Sequence, residues 1–489
     1  MPSLEEIRQG RLAKQNLLKE KGINPYPIST SRNHENAEVI AKFDSLLEKE
    51  LVLAGRVMTL RPQGGLIFFN FFDGTATFQA LLKKDESDEG AFELFESVVD
   101  IGDFVELSGS LFETKRKEKT LKVKSWRMLS KSLLPLPEKW HGLQDIEERF
   151  RKRYLDLLSN SEVRERFIIR GKLVSEIRAF YDASGYLEVE TPVLQTLAGG
   201  ATAEPFVTHH NALDVDFNLT IAQELYLKKL LIGGFNKVYE IGRKFRNEGI
   251  DSTHNPEFTM LESNEAYADA KSQREFIELL FKTVISNVLG KSKVTFDGNE
   301  IDLSKPFEVF SFYELLRKFA GIAHPQSIER NELKKHAEKM GLKIAPKDSP
   351  EKIMDALYKK MVRSKLISPT FIVDYPLAFN PFSKRKEDDP SLIDRFQLII
   401  GGLEMVNAFS ELNNPIDQKE RYEEEDRKKK EGEGDISPSD LDYLEAMEYG
   451  MPPNGGIGIG IDRVAMFITD CKNIKEVILF PTLRAKNDK

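Results

Sequence analysis

The sequence predicts an α+β protein in two parts: a small closed five-stranded β-barrel, followed by a larger domain that mixes strands with long helices. Three observations carry this expectation. Between about Leu51 and Ser130 the chain breaks into short β-rich runs, LVLAGRVMTL, LIFFNFF, ATFQALL, DFVELSGSLF and LKVKSWRML. Turn signals at Gly64-Gly65, Asp73-Gly74 and Lys115–Lys119 separate them. From Ser161 onward, helix-period runs alternate with strands. Within that second part a hairpin, Lys237–Glu262, gathers Arg243, Arg246, Glu248, His254 and Phe258 around a short Gly/Asp/Ser turn.

Composition bounds the function. With 489 residues the chain has room for two or three domains with real cores. Hydrophobic content of 40% and charged content of 31% describe an ordinary soluble globular protein. The opening MPSLEEIRQGRLAK has no apolar core of a secretory signal, and no apolar run approaches the ~18 residues that span a bilayer. The single cysteine, Cys471, excludes an internal disulfide and any cysteine-based zinc cluster, so a reducing, cytoplasmic setting is expected. A net charge of −8 means that binding to nucleic acid has to rest on local basic patches.

Taken in order, Ser3-Leu4-Glu5-Glu6 reads as a capping box that opens a helix to about Lys21, stopped by Gly22. Its Arg8, Arg11, Lys14 and Lys19 are expected on a solvated face. Residues 1–50 form a helical extension and 51–135 the barrel, with a helix over Gly90–Val99, which makes it a barrel of the OB type. Phe68, Phe69, Phe71 and Phe72 put aromatics on both faces of one strand. The second face is either covered by a neighbour or is a base-stacking platform. The adjacent run from Lys115 to Lys131 is rich in lysine and arginine, and this favours single-stranded nucleic acid. A Pro-punctuated linker occupies 136–160, and the second domain 161–489. That domain holds a helix from Ser161 to about Ser184, the strand YLEVETPVL, and a helical insertion over about 307–367. An Asp-Gly hairpin turn lies in VTFDGNEIDL. Residues 419–440 are a charge run expected as a solvated helix and loop. GGIGIGIDR, a glycine-rich strand into a helix, lacks the spacing and acidic partner of a dinucleotide fingerprint. The charged hairpin itself has a bland alternative, a tip laced with surface ion pairs.

FRNE…HNPEF closely resembles motif 2 of the class II aminoacyl-tRNA synthetases, in the version carried by lysyl-tRNA synthetases. The helix, strand and Pro192 resemble motif 1, which builds the homodimer interface in this class, and GGIGIGIDR resembles motif 3. Gly199-Gly200-Ala201, ELYLK and the linker also have counterparts, in family order. The resemblance is to the bacterial type of that family and implies a six- to seven-stranded antiparallel catalytic sheet behind an anticodon-binding barrel. It implies a two-step reaction in which lysine attacks the α-phosphorus of ATP and the lysyl group then passes to tRNA(Lys), with Mg²⁺ as cofactor and no membrane. The residues leave two other functions open: a degenerate paralogue that binds RNA without activating an amino acid, and a protein-lysylating relative, a class that lacks the barrel.

Position by position, the resemblance implies that Arg246 bridges the α-phosphate and the lysine carboxylate, with Arg463 as its catalytic partner. Glu248 would meet the adenine amine, Phe258 stack on its ring, and His254, Asn255 and Arg463 complete the ATP site. Glu404 and Glu411 would serve metal, with Gln397 at a usual glutamate ligand position. Around lysine would stand Gly199, Glu224, Glu262, Asn264, Asn407, Phe409 and Glu411. Glu224 on its own reads as either the polar edge of a helix start or a cation ligand. In the barrel, Phe68 and Gln79 would face the anticodon. Three positions depart from the pattern: Asn264 replaces a usual tyrosine, Gln397 a glutamate, and Glu204 an arginine.

Overall fold

The computed structural model describes residues 2–137, 143–430 and 439–486, the side chains of 428–430 excepted. The chain divides into two compact units, Met1–Leu143 and Gln144–Lys489.

In the first unit the helix Leu4–Glu20 opens on the expected capping box: the Ser3 amide donates to Glu6 Oε2 at 2.6 Å, and the Glu6 amide to Ser3 Oγ at 3.2 Å. Gly22, at φ +71°, follows the helix end. The basic face is solvated only in part: Arg8 and Lys19 are exposed as expected, and the other two are not. Arg11 is buried and donates to the carbonyls of Ile101, Ser132 and Leu134, while Lys14 pairs with Asp100 at 2.7 Å. A guanidinium fork satisfies several carbonyls at once, and that compensates its burial.

The barrel strands are β1 (Glu50–Gln63), β2 (Leu66–Phe72), β3 (Thr77–Lys83), β4 (Phe104–Glu113) and β5 (Lys119–Ser130). They hydrogen-bond in the closed order β1-β2-β3-β5-β4, which leaves no edge to be covered. Alternation resolves the aromatic strand. Phe69 and Phe71 are fully buried in the barrel core, and Phe68 and Phe72 are half-buried on the outer face. Phe68 stands opposite Leu81 and Asn70 opposite Gln79, so Phe68 and Gln79 lie on the same face of the sheet, where Gln79 is buried and its Oε1 accepts from the Thr120 hydroxyl at 2.8 Å. Lys131, expected in the basic patch, is instead buried, with Nζ 2.7 Å from Asp103 Oδ2 and 2.7 Å from the Val98 carbonyl. Lys115, Arg116 and Lys117 remain exposed at the β4–β5 turn.

The second unit is built on one eight-stranded sheet. Its order is Glu308–Ser311, Thr370–Pro376, Leu392–Ile400, Leu403–Ser410, Asn454–Gly460, Glu257–Ala266, Lys237–Phe245, Leu187–Glu188. The inner pairs are antiparallel and the two outermost pairs parallel. Helices Ser161–Ala183, Ala270–Leu289 and Ile461–Ile468 bury one face through a cluster that includes Leu173, Ile177, Phe281, Ile457, Ile459 and Val464. Strand alternation then sends Glu262, Asn264, Asn407, Phe409, Gly456 and Gly458 to the other face.

Three expectations are revised here. YLEVETPVL yields not one strand but the two-residue strand Leu187–Glu188 and, beyond Pro192, the first residue of the strand Leu194–Gln195. The insertion 307–367 begins with an edge strand, Glu308–Ser311, before its helices Phe312–Ala320, Arg330–Lys339 and Pro350–Leu357. Next comes a π-helical turn, Tyr358–Val362. The charged helix Pro415–Lys430 is not fully solvated, since Gln418, Arg421 and Tyr422 are buried; of the run 419–440, residues 431–438 lie outside the described residues. The linker also buries charge, for Arg153 pairs with Asp156 at 2.7 Å and donates to carbonyls of Lys475 and Leu479. The Asp-Gly turn forms as expected, with φ +49° at Asp297 and +76° at Gly298.

Candidate active site

The hairpin strands Lys237–Phe245 and Glu257–Ala266 pair with Glu240 opposite Glu262 and Lys244 opposite Phe258. Their connecting loop is tied by Asp251, which accepts from the amides of Thr253 (2.6 Å) and His254 (2.9 Å) and from His254 Nδ1. That fixes the outward nitrogen: His254 Nε2 lies 3.1 Å from Arg463 Nη2. Arg463 comes from the helix that follows the glycine-rich strand, and its Nη1 donates to the Glu404 carbonyl at 3.1 Å. The Arg246 guanidinium lies 5.2 Å from the Phe258 ring centroid and donates to the Ile221 carbonyl at 3.4 Å. Its Nε is buried with no protein partner. Burial holds its pKa below the ordinary arginine range, with the carboxylates of Glu262 and Glu248 opposing. A buried donor without an acceptor is costly, and is expected where a ligand supplies the acceptor.

Arg246 stands between two cavities. One is a cleft of about 470 Å³ lined by Glu248, His254, Asn255, Phe258, Glu404 and Arg463, among others. The helical insertion contributes Lys359 and Arg363 to it, two cations that sequence reasoning missed. They fall on the π-helical turn and the short helix after it, which periodicity cannot foresee. The other cavity, about 210 Å³, is lined by Glu224, Glu262, Asn264, Phe409 and Glu411. Arg246, Met260, Asn407 and Gly458 line both.

The small cavity ends in a buried charge cluster. Glu411 is 1% exposed, Asn264 2% and Glu262 7%. Asn264 Nδ2 donates to Glu411 Oε1 at 3.1 Å and to Asn454 Oδ1 at 3.2 Å, so the amide meets the carboxylate as a donor. Glu262 accepts the Gln223 amide. The other oxygen of Glu411 ion-pairs with Lys228, a residue sequence reasoning passed over. Lys228 Nζ also lies 2.5 Å from Glu224 Oε1. The available signal was the i, i+4 spacing of Glu224 and Lys228 on the helix Glu224–Ile232. Burial pushes the Glu224 and Glu411 carboxyls up, with the Lys228 ammonium opposing.

Three other residues fall elsewhere than the resemblance implies. Gly199 lines a neighbouring cavity, and Gly200, Ala201 and Thr202 line the small one instead. Gln397 is buried, and its Oε1 accepts from the Tyr375 hydroxyl at 2.6 Å. It is not among the residues that line the cleft. Glu411 is engaged by Lys228 and Asn264 and is separated from Glu404, so the two do not form a metal pair. Among the described residues no group of three or more His, Cys, Asp or Glu side chains is arranged around a metal position. The Glu404 carboxylate makes no hydrogen bond or ion pair among the described residues and lines the cleft. One carboxylate beside a polyphosphate suits Mg²⁺, which commonly binds through one or two carboxylates plus phosphate oxygens.

The chain is similar to known proteins along nearly its whole length. Residues 145–484 match the family model of class II tRNA synthetases (D, K and N), and residues 51–129 match the OB-fold nucleic acid binding domain. A lysine–tRNA ligase of Pelotomaculum thermopropionicum is 46% identical over 99% of this chain and 95% of its own length. Those of Moorella thermoacetica and Dehalococcoides mccartyi are 45% and 44% identical, over 98% of both chains and 99% of both chains. The chain therefore belongs to the class II tRNA synthetases and, within them, to the lysine–tRNA ligase family.

Proposed function

We propose that the protein activates lysine with ATP and transfers it to tRNA(Lys). The carrying observation is the pair of cavities that meet at Arg246: one sized and charged for a nucleoside triphosphate, the other small and ended by carboxylates. The substrate carboxylate is already ionised and needs no general base. The site has to align it with the α-phosphorus and stabilise charge on the phosphoryl oxygens as pyrophosphate leaves. Arg246 reaches both cavities and suits this role. Phe258 offers a face to adenine and Glu248 an acceptor for its amine. His254 and Arg463 hold the distal phosphates, and Asn255 lines the same wall. Glu404 would hold Mg²⁺, which supplies neutralisation of phosphate charge when bound. Glu224 meets the α-ammonium, Asn407 the backbone end and Phe409 the aliphatic stem, and Glu411, with help from Glu262, receives the ε-ammonium.

The barrel, which we assign to residues 51–135, meets the anticodon through Phe68 and Gln79 on its outer face, with Lys115–Lys117 beside the path. A homodimer through the motif 1 segment is supported by apolar side chains left exposed there, Ile168, Leu187, Val193 and Leu194. No described helix is long and apolar enough to cross a membrane, and we place the enzyme in the cytoplasm. ATP–pyrophosphate exchange measured across the amino acids, followed by charging of tRNA, tests the reading. Lysine alone should support exchange above background, and exchange with another amino acid only would overturn it.

A further inference from the structure

Lys228 lies at the centre of the buried cluster and lines neither substrate cavity. Its side chain is fully buried, on a nine-residue helix. Nζ sits 2.5 Å from Glu224 Oε1 and ion-pairs with Glu411 Oε2. Three rings surround it, Phe382, Phe409 and Tyr443, with centroids at 5.2, 5.5 and 5.9 Å. A lysine in an apolar cage is tolerated only with paired anions, and here it has two. In the functional reading proposed above, those two are also the carboxylates that meet the two ammonium groups of the substrate. Glu224 is on the helix, Glu411 follows the strand Leu403–Ser410, and no backbone ladder joins these elements. Lys228 is the covalent and ionic tie between them: it is on Glu224's own helix, one turn on, and reaches across to Glu411.

We propose that Lys228 is a positioning residue that sets the chain-length selectivity of the amino-acid pocket by holding Glu224 and Glu411 at a fixed separation. Each carboxylate spends one oxygen on Lys228. Glu224 keeps its second oxygen for the cavity. Glu411 Oε1 is held from the other side by Asn264 and sits against Gly456, where any Cβ would overlap it. The ammonium seats for the two ends of a diamino acid are then fixed in space rather than adaptable. A substrate one methylene shorter leaves a carboxylate without its partner, and one methylene longer is compressed between them. Buried groups left unpaired are the interactions that discriminate most steeply.

This inference rests on reading the small cavity as the lysine pocket. Lysine-dependent exchange by the unaltered enzyme tests that reading first and separately. The inference itself is tested with Lys228→Met, which keeps volume and removes the tie, and Lys228→Gln, which keeps a donor and guards against loss of folding. Exchange is measured with lysine, ornithine and homolysine. The KM for lysine should rise at least tenfold in Lys228→Met with the KM for ATP unchanged, and the preference for lysine over both analogues should fall at least fivefold. Lys228→Gln should fall between. In Lys228→Ala, propylammonium should restore part of the lysine preference while propanol, of the same shape, restores none. An unchanged preference in a folded variant, or equal rescue by propanol, would mean that Lys228 only fills space and would overturn the proposal.

Discussion

Gly456→Ala is the sharpest probe of the amino-acid pocket, because one methyl group tests its geometry without touching charge. Gly456 lies on the strand Asn454–Gly460, opposite Asn264 on one side and Phe409 on the other. A Cβ there would overlap Glu411 Oε1 outright and stand 3.0 Å from both Asn264 Nδ2 and Glu411 Cδ. An exposed glutamate would turn away at little cost. Glu411 is 1% exposed, with one oxygen on Asn264 and the other on Lys228, so it has nowhere to turn. Close-packed interiors do not absorb such an overlap without shifting a neighbour. We expect the carboxylate to retreat from Asn264, losing a hydrogen bond to a charged group worth about 1.5–3 kcal/mol. Since about 1.4 kcal/mol is tenfold, the KM for lysine should rise roughly tenfold to a hundredfold. The KM for ATP should stay within about twofold, because the overlap is confined to the small cavity. The assay is pyrophosphate exchange with lysine and ATP titrated separately. A lysine KM within about twofold of the parent, in a folded variant, would refute the placement of Glu411 at the ammonium end.

Other outcomes follow from the same geometry. Arg246→Ala should abolish lysine-dependent exchange, since a donor at developing charge is worth about 2.7–4 kcal/mol, and activity within tenfold of the parent would remove Arg246 from the chemistry. Phe68→Ala should weaken charging of a UUU-anticodon tRNA by about 1–3 kcal/mol and leave tRNA-free exchange intact. Because Phe68 is on the outer barrel face, loss of folding in that variant would contradict the assignment. Burial pushes the Glu411 carboxyl up to about 8, with Lys228 opposing, so below that pH binding of a lysine ammonium has to displace a proton. The lysine Kd should therefore rise by up to about tenfold per pH unit as pH falls from about 8, with proton release visible by calorimetry in buffers of different ionisation enthalpy. A flat Kd between about pH 6 and 8.5 would place the lysine ammonium elsewhere.

The sequence by itself determined the elements and their order. Turn residues and β-rich runs marked the barrel, the Ser3–Glu6 box and Gly22 bounded the first helix, and Asp297-Gly298 marked its hairpin. These are local properties of the backbone, readable within a few residues. It also placed the motif residues, since Arg246, Phe258 and Arg463 lie on or just beyond a hairpin and a strand–helix turn whose spacing is local. What only the tertiary structure decided is where charge is buried. Arg11, Lys131, Arg153 and Lys228 read as surface residues in any one-dimensional pattern, because a lysine or arginine on a helix or strand is solvated unless something distant covers it. Their partners come from far along the chain: Arg11 meets carbonyls near Ser132, Arg153 those near Leu479, and Lys228 the carboxylate of Glu411. Folding alone sets those distances. For the same reason Gln397, paired across the sheet with Asn407, has its Oε1 engaged by Tyr375, and Glu411 answers to a lysine of its own chain.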